Sequence, residues 1–146
     1  MPNDATVTVE IEGGPTISVP WSQGMNAQQA LEGAWNQVHQ TAGFTYGLSY
    51  FGSYGYLVFM INETYDTFVS AYAPYYYWEF FLNGTSASQG IDFTTLDAGD
   101  VVRFSYERFQ PETHAESLLA VKHEFRQRQV GFESATEPGP AAGRGS

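Results

Sequence analysis

Residues 75–100 constrain the fold of this chain more than any other part of its sequence. They begin with an aromatic run, Tyr-Tyr-Tyr-Trp-Glu-Phe-Phe-Leu, that ends at Leu82. Asn83 and Gly84 follow at once, and this pair favours a two-residue hairpin turn because both residues tolerate positive φ angles. A second turn signal, Asp-Ala-Gly-Asp, ends at Asp100. The pattern predicts a strand, a tight turn and the entry to a final strand.

Alternation of apolar and polar side chains predicts strands in most of the chain before Pro111. The predicted strands are residues 6–12, 16–21, 44–51, 56–61, 75–82 and 101–106, and residues 91–96 are a candidate for a short one. Asn26, with Gln29 as its capping-box partner, is predicted to begin a helix whose apolar spacing continues to Val38. Residues 62–74 are predicted to be a surface loop.

The segment after Pro111 is predicted to be a helix followed by a tail. Residues 112–129 fit one helix, with acids near its start and arginines near its end, as the helix dipole favours. Its apolar stripe is thin, so we expect the helix either to dock on the domain or to bind a partner. From Gly131 the composition shifts to Gly, Pro, Ala and Ser, which predicts disorder. The predicted division is a domain at 1–110, a helix at 111–130 and a disordered tail at 131–146.

Charge and composition argue against several functional classes. Six basic and sixteen acidic residues give a net charge of −10, and every basic residue follows position 102. Such an acidic domain repels phosphate backbones, so nucleic-acid binding is not expected. The absence of cysteine excludes disulfides and thiolate metal sites. The sequence contains no run of about 18 apolar residues, so no membrane span is predicted.

No catalytic or metal-binding motif emerges from the sequence. Asp92, Asp97 and Asp100 cluster around turns but lack the alternation and closing glutamate of an EF-hand loop. Side-chain bonds to nearby backbone N–H groups explain these aspartates better. The histidines form no HExxH pair, and no nucleophile elbow is present. We therefore assign no catalytic or metal-binding residue, and the sequence requires no cofactor.

Alternation within the aromatic strand separates a core face from a candidate binding face. Trp78, Phe80 and Leu82 are the better core candidates beneath the first helix. The candidate binding face carries Tyr75, Tyr77, Glu79 and Phe81, and four further tyrosines could join it: Tyr46, Tyr50, Tyr54 and Tyr72. Tyrosine combines an apolar ring with a hydroxyl, which suits flat ligands, sugars and protein partners.

Two features of this face stay open at the level of sequence. Glu79 could be a hydrogen-bond anchor, or an acid with a raised pKa if it is desolvated. The favoured prediction is that it faces solvent or pairs with an arginine, and Arg103 is the candidate partner. The face itself could be covered by the chain's own C-terminal helix, by a ligand or partner, or by a second copy of the chain. An uncovered aromatic patch of this size would be unusual on a free monomer.

A hairpin, a helix and then several strands is the order of a β-grasp, or ubiquitin-like, fold. This is an α+β class in which a mixed sheet packs on one helix. The motifs Tyr77-Trp78, Asn83-Gly84, Gln89-Gly90-Ile91, Leu96 and Gly99-Asp100 resemble the domain that forms the C-terminal part of transcobalamin and intrinsic factor. The resemblance covers roughly residues 5–107. In those carriers the domain closes over cobalamin held by an α-helical barrel. The resemblance does not include that barrel, so it implies cobalamin binding by this chain only by weak analogy.

The resemblance implies a binding module, and three functional hypotheses follow. The leading one is a non-enzymatic module that binds a small molecule or a protein partner through its aromatic sheet face. The alternative is a structural subunit of a homo-oligomeric or surface assembly, and the third is a small enzyme with a pocket between the sheet and the loop at 62–74. Relatives of this kind are mostly exported or surface-attached, which is expected here if a leader was removed; a native start at Met1 implies the cytoplasm.

Overall fold

The computed structural model describes residues 5–41, 43–67 and 73–136, with side chains described up to residue 127 of the last helix. The strands are β1 (Thr6–Ile11), β2 (Thr16–Pro20), β3 (Tyr46–Tyr50), β4 (Tyr56–Ile61), β5 (Thr64–Tyr65), β6 (Tyr76–Leu82), β7 (Thr85–Ser86) and β8 (Val101–Arg108). The α-helices are α1 (Ala27–Val38), α2 (Pro111–His114) and α3 (Leu118–Thr136).

The strands form two sheets. The larger has the order β2-β1-β8-β6-β7, and it is mixed because β1 runs parallel to β8 whereas the other neighbours are antiparallel. The smaller has the order β3-β4-β5 and is antiparallel. Strands β4 and β6 lie side by side where the two sheets meet. The predicted α+β class with a mixed sheet is confirmed.

Helix α1 supplies one layer of the core. Asn26 accepts a hydrogen bond from the Gln29 N–H, and the Gln29 side chain accepts one from the Asn26 N–H, so the predicted capping box is confirmed. The buried face of the helix consists of Ala27, Ala30, Leu31 and Ala34. Small alanines allow the helix axis to approach the sheet closely, and the facing core includes Val9, Val102, Phe80 and Phe104.

The turns after β6 and before β8 are joined by side chains. Asn83 and Gly84 have φ angles of 52° and 84°, as the predicted tight hairpin turn requires. The Asn83 side chain accepts a hydrogen bond from the Val101 N–H and donates one to Asp100. Asp100 also accepts from the Asp97 N–H at 2.8 Å. The Asp100 carboxylate and the Asn83 side-chain amide are therefore both engaged in stabilising the turns.

Neither a metal-binding cluster nor a membrane-spanning helix occurs among residues 5–41, 43–67 and 73–136. No group of three or more His, Asp or Glu side chains in these ranges is placed to hold a metal ion. No helix in the described part of the chain is long and apolar enough to cross a membrane.

Three predictions of local structure are wrong. Residues 91–96 form no strand, although an isolated bridge pairs Thr95 with Asn26. Residues 62–74 are not wholly a loop, because a tight turn at Asn62 and Glu63, both with positive φ, brings β5 back against β4. The segment after Pro111 is two helices instead of one, since the Ser117 hydroxyl accepts a hydrogen bond from the Leu119 N–H and begins α3 anew.

The predicted tail also begins later than residue 131. Helix α3 continues to Thr136, so residues 131–136 are helical. Extending an existing helix by a few residues costs far less than nucleating one, which composition alone does not register. The predicted disorder of residues 137–146 falls outside the described residues. The division of the chain at residue 110 stays a prediction, although Leu118 and Leu119 of α3 are buried against the rest of the protein.

Candidate ligand-binding groove

The second face of the larger sheet is covered by the chain's own C-terminal segment. Strand β6 pairs with β8 so that Tyr77 lies opposite Glu107 and Glu79 lies opposite Ser105, on the side of the sheet away from α1. Helix α3 packs on β6. As a result Tyr77 is 0% exposed and Glu79 is 3% exposed. Of the coverings that the sequence left open, the C-terminal segment is the one observed at these two residues.

The predicted pairing of Glu79 with Arg103 is wrong. Glu79 accepts a hydrogen bond from the Ser86 hydroxyl at 2.6 Å, and its other oxygen lies 3.7 Å from His114 Nε2. Arg103 pairs instead with Glu10, with Nη1 and Oε1 3.5 Å apart. The sheet register explains this result, because Arg103 lies beside Glu10 of β1, whereas Ser105 lies opposite Glu79.

Four rings form a cluster beneath the C-terminal helices. The Tyr77 hydroxyl lies 2.9 Å from His123 Nδ1. Phe109 stacks on His123 with centroids 4.6 Å apart and meets Tyr77 edge-on at 5.6 Å. Tyr75 lies 5.1 Å from the His123 ring. Edge-on and offset contacts of this kind add to the stabilisation that burial alone provides.

Burial is the main cause of the pKa shifts of two residues in this cluster. Burial raises the pKa of Tyr77, and the negative charge of Asp66 raises it further. Burial lowers the pKa of His123, and the carboxylate of Glu124 opposes part of that change. At neutral pH the hydrogen bond therefore joins an uncharged phenol to an uncharged imidazole.

We expect acid to loosen this packing. An unfolded histidine titrates near 6.5, and His123 titrates below that value in the folded protein. Between the two pKa values the unfolded chain binds more protons, so the free energy of unfolding falls as the pH drops through about 6.5. Thermal unfolding at about pH 7.5 and about pH 5.5 should show a smaller decrease in Tm for His123→Asn than for wild type. His39→Asn, at the exposed end of α1, is the matched control, and equal decreases in all three proteins would contradict the expectation.

Helix α3 is also anchored by a buried ion pair. Lys122 is 1% exposed, and its Nζ lies 2.9 Å from Oδ2 of Asp66, which is 2% exposed. Burial lowers the pKa of Lys122 and raises that of Asp66, and each charge opposes the shift of the other. The sequence analysis missed this pair. A signal was present, because Lys122 falls four residues after Leu118 and three before Phe125, within the apolar stripe of the helix.

A groove of about 640 Å³ opens between α2–α3 and the loops beside them. One wall is formed by Tyr54 and Ser88, from the segments before β4 and after β7. The rest of the lining comes from the C-terminal segment: Phe109, Pro111, Ala115, Glu116, Ser117, Leu118, Ala120, Val121, His123 and Glu124. A smaller cavity of about 250 Å³ lies on the other side of Phe109 and His123, and Tyr75 and Arg108 line it.

The structure separates the predicted binding residues into several places. Tyr54 lines the groove, and Tyr75 lines the smaller cavity. Tyr46 packs on Phe44 and the core on the α1 side, so it does not lie with Tyr77; burial and the charge of Glu32 raise its pKa. The remaining predicted residues are Tyr50, which is 62% exposed and contacts Tyr56, Phe81, which is half-buried, and Tyr72, which lies outside the described residues.

Phe109, Ser88 and His123 were missed by the sequence analysis. Phe109 could have been found by continuing the alternation of β8, because it follows Arg103, Ser105 and Glu107 on the same face of the sheet. Ser88 and His123 carried no such signal, since both reach the groove only through the packing of loops and helices.

Comparisons with known proteins agree with the fold. The profile of a family described as a domain of unknown function, DUF4430, matches residues 24–108, so α2 and α3 follow the matched segment. Haptocorrin, in a structure with Cbi, has 21% sequence identity and a TM-score of 0.52 over 70% of this chain and 25% of that chain. The chain thus spans about a quarter of haptocorrin. This similarity shows the fold and agrees with the predicted resemblance; membership of the vitamin-carrier family stays a prediction.

A second solved structure is more distant. A protein from Ruminococcus gnavus ATCC 29149, proposed to bind metal, has 15% identity and a TM-score of 0.47 over 72% of this chain and 96% of that chain. A similarity this low carries no argument about function. No curated protein sequence matches the chain.

Proposed function

The chain belongs to the DUF4430 family, and we propose that it is a non-enzymatic module that binds a small organic ligand in the groove beside α2–α3. One observation carries this proposal: a cavity of about 640 Å³ in which two aromatic residues, Tyr54 and Phe109, stand near a few polar groups. Ligand sites are typically concave, of this size, and lined by apolar surface with a small number of polar groups.

The charge of the groove narrows the class of ligand. Among the described residues that line it, none is a lysine or an arginine, whereas Glu116 and Glu124 contribute carboxylates. His123 adds no positive charge at neutral pH because burial lowers its pKa. This arrangement favours a neutral or positively charged ligand over a carboxylate or a phosphate. The Tyr54 and Phe109 rings suit a flat or aliphatic body, and a cation could also interact with their faces.

In this proposal the aromatic sheet face supports the ligand site and is not itself the binding surface. Tyr77 and Glu79 are buried, so they support the groove from beneath and do not contact the ligand directly. Direct contacts are assigned to Tyr54 and Phe109, which line the groove. A corrinoid is not proposed, because the similarity covers only a quarter of haptocorrin. The assembly and enzyme hypotheses stay predictions, and native mass spectrometry also measures the number of chains in the assembly.

Native mass spectrometry of protein purified from its own source tests the proposal. We expect an adduct of one small molecule per chain, which can be extracted, identified and added back to ligand-free protein. Tyr54→Ala should weaken its affinity by about tenfold or more, as truncation of an aromatic anchor usually does. Tyr65→Ala is the matched control, because Tyr65 is exposed to a similar degree, 47% against 40%, and does not line the groove. Equal affinities in both variants would refute the groove as the site.

A further inference from the structure

Three oxygen atoms converge on the buried amine of Lys122. Its Nζ lies 2.5 Å from the Val58 carbonyl oxygen, 2.8 Å from the Trp78 carbonyl oxygen and 2.9 Å from Asp66 Oδ2. A protonated primary amine has three N–H donors. The Val58 and Trp78 carbonyls accept two of them, and Asp66 Oδ2 faces the amine as an ion-pair partner, outside hydrogen-bond geometry. A neutral amine would leave the buried carboxylate without a counter-ion. The site therefore matches a primary ammonium group in its two carbonyl acceptors and in its charge.

The three oxygen atoms belong to the sheets and not to the helix that carries the lysine. Val58 lies in β4, Trp78 lies in β6, and Asp66 directly follows β5, so the site is built where the two sheets meet. Asp66 is held there by its own backbone and side chain: its N–H donates to the Phe59 carbonyl, and its Oδ1 accepts from the Trp78 N–H. The carboxylate is thus oriented by the sheets, independently of Lys122.

The main-chain groups on either side of the site are already paired. The Tyr76 carbonyl accepts from the Thr67 N–H at 2.9 Å, and the Phe80 carbonyl accepts from the Ala87 N–H at 3.0 Å. Between them, the Trp78 carbonyl takes its hydrogen bond from the ammonium. The ammonium therefore donates to the β6 carbonyl that lies between those paired with Thr67 and Ala87, and it also donates to the Val58 carbonyl of β4.

From this geometry we infer that the junction of the two sheets is a binding site for a primary alkylammonium group, and that α3 is a tethered ligand which fills it with Lys122. The residues that supply the three oxygen atoms lie within residues 24–108, the part that matches the family, whereas Lys122 lies after it. The part of the chain that matches the family thus supplies the acceptors of the site, and the C-terminal segment supplies the ammonium. The site is distinct from the proposed ligand groove, whose lining includes neither Asp66 nor Lys122.

The chemistry of the site defines what it accepts. A quaternary ammonium has no N–H donor and cannot satisfy the two carbonyls. An alcohol of the same length has one donor and no charge to balance Asp66, and an anion is repelled by that carboxylate. Truncation of Lys122 to alanine removes three methylene groups and the amine, which together correspond to n-propylammonium. That ion is therefore the matched probe.

Chemical rescue tests the inference. Thermal unfolding of Lys122→Ala is followed in n-propylammonium chloride, with tetramethylammonium chloride and 1-propanol as matched solutes. We expect n-propylammonium to raise Tm in proportion to ln(1 + [L]/Kd), by about 4 °C at tenfold excess over its Kd, and the two other solutes to produce no such rise. Wild type and Lys122→Met should not respond, because a side chain already fills their site. In the double variant Asp66→Asn, Lys122→Ala, the Kd for n-propylammonium should be at least tenfold higher than in Lys122→Ala.

The results of the rescue experiment either support or overturn the ammonium site. If Lys122→Ala does not fold alone, refolding is followed by circular dichroism, and recovery in n-propylammonium but not in the other solutes supports the site. Equal effects of all three solutes, an equal rise in Lys122→Met, or no effect of n-propylammonium on stability or refolding would overturn it. The groove proposal is tested separately by Tyr54→Ala, so either conclusion can fail without the other.

Discussion

Replacement of Lys122 by methionine is expected to lower the free energy of unfolding by about 3–5 kcal/mol. Methionine approximates the volume of the lysine stem, so the loss does not arise mainly from a cavity. It arises because Asp66, 2% exposed, becomes a buried charge without its counter-ion, and because the Val58 and Trp78 carbonyls lose their donor. Urea denaturation followed by tryptophan fluorescence provides the measurement.

Two further variants separate charge from packing. Combining Asp66→Asn with Lys122→Met removes both charges, and the asparagine oxygen can still accept from the Trp78 N–H, so the double variant should be more stable than Lys122→Met alone. Arg103→Met breaks an exposed ion pair with Glu10 and should cost no more than about 1 kcal/mol. A double variant as unstable as Lys122→Met, or more so, would contradict the assignment of the loss to an unpaired charge.

Truncation of Tyr77 to alanine is expected to cost about 3–5 kcal/mol, as for other fully buried aromatic residues. Tyr77 is 0% exposed, contacts the Phe109 and His123 rings, and hydrogen-bonds to His123. Its removal opens a cavity between β6 and α3 and leaves the half-buried imidazole without this hydrogen-bond partner. The same denaturation experiment measures the loss.

Tyr76→Ala is the matched control for Tyr77→Ala. Tyr76 precedes Tyr77 in the same strand, but its side chain points to the opposite face, stacks on Tyr106 and is 36% exposed. We expect it to cost about 1 kcal/mol, within the range of partly exposed cross-strand pairs. If the two substitutions were equally destabilising, Tyr77 would not be a central contact between the sheet and α3.

Lys122 and Tyr77 together hold the C-terminal segment against the two sheets. Lys122 anchors α3 at the junction of the sheets, and Tyr77 packs against the ring cluster that α3 completes. Because α2 and α3 also form most of the groove wall, loss of either contact should disturb the groove as a secondary effect. Ligand binding by Tyr77 variants is therefore interpretable only beside their stability, whereas Tyr54→Ala tests the groove directly.

Local sequence determined the parts of the fold that short-range physics controls. The capping box at Asn26 and Gln29, the positive φ angles at Asn83 and Gly84, and the separation of Trp78 from Tyr77 onto opposite faces depend on residues within a few positions of one another. The prediction failed after Pro111, where the local sequence is compatible with one helix or with two. Ser117 could lie inside one helix or begin a new one, and its hydroxyl begins a new one.

The tertiary structure alone decided what the aromatic face contacts. Strand register placed Arg103 beside Glu10 and left Glu79 to Ser86 and His114, and periodicity cannot define the register between distant strands. The docking of α3 buried Tyr77 and brought Phe109 and His123 against it. Asp66 and Lys122, 56 positions apart, met at an ammonium site because two sheet edges left two carbonyls for one buried amine. Such a site depends on long-range packing, and its residues carry no shared pattern along the chain.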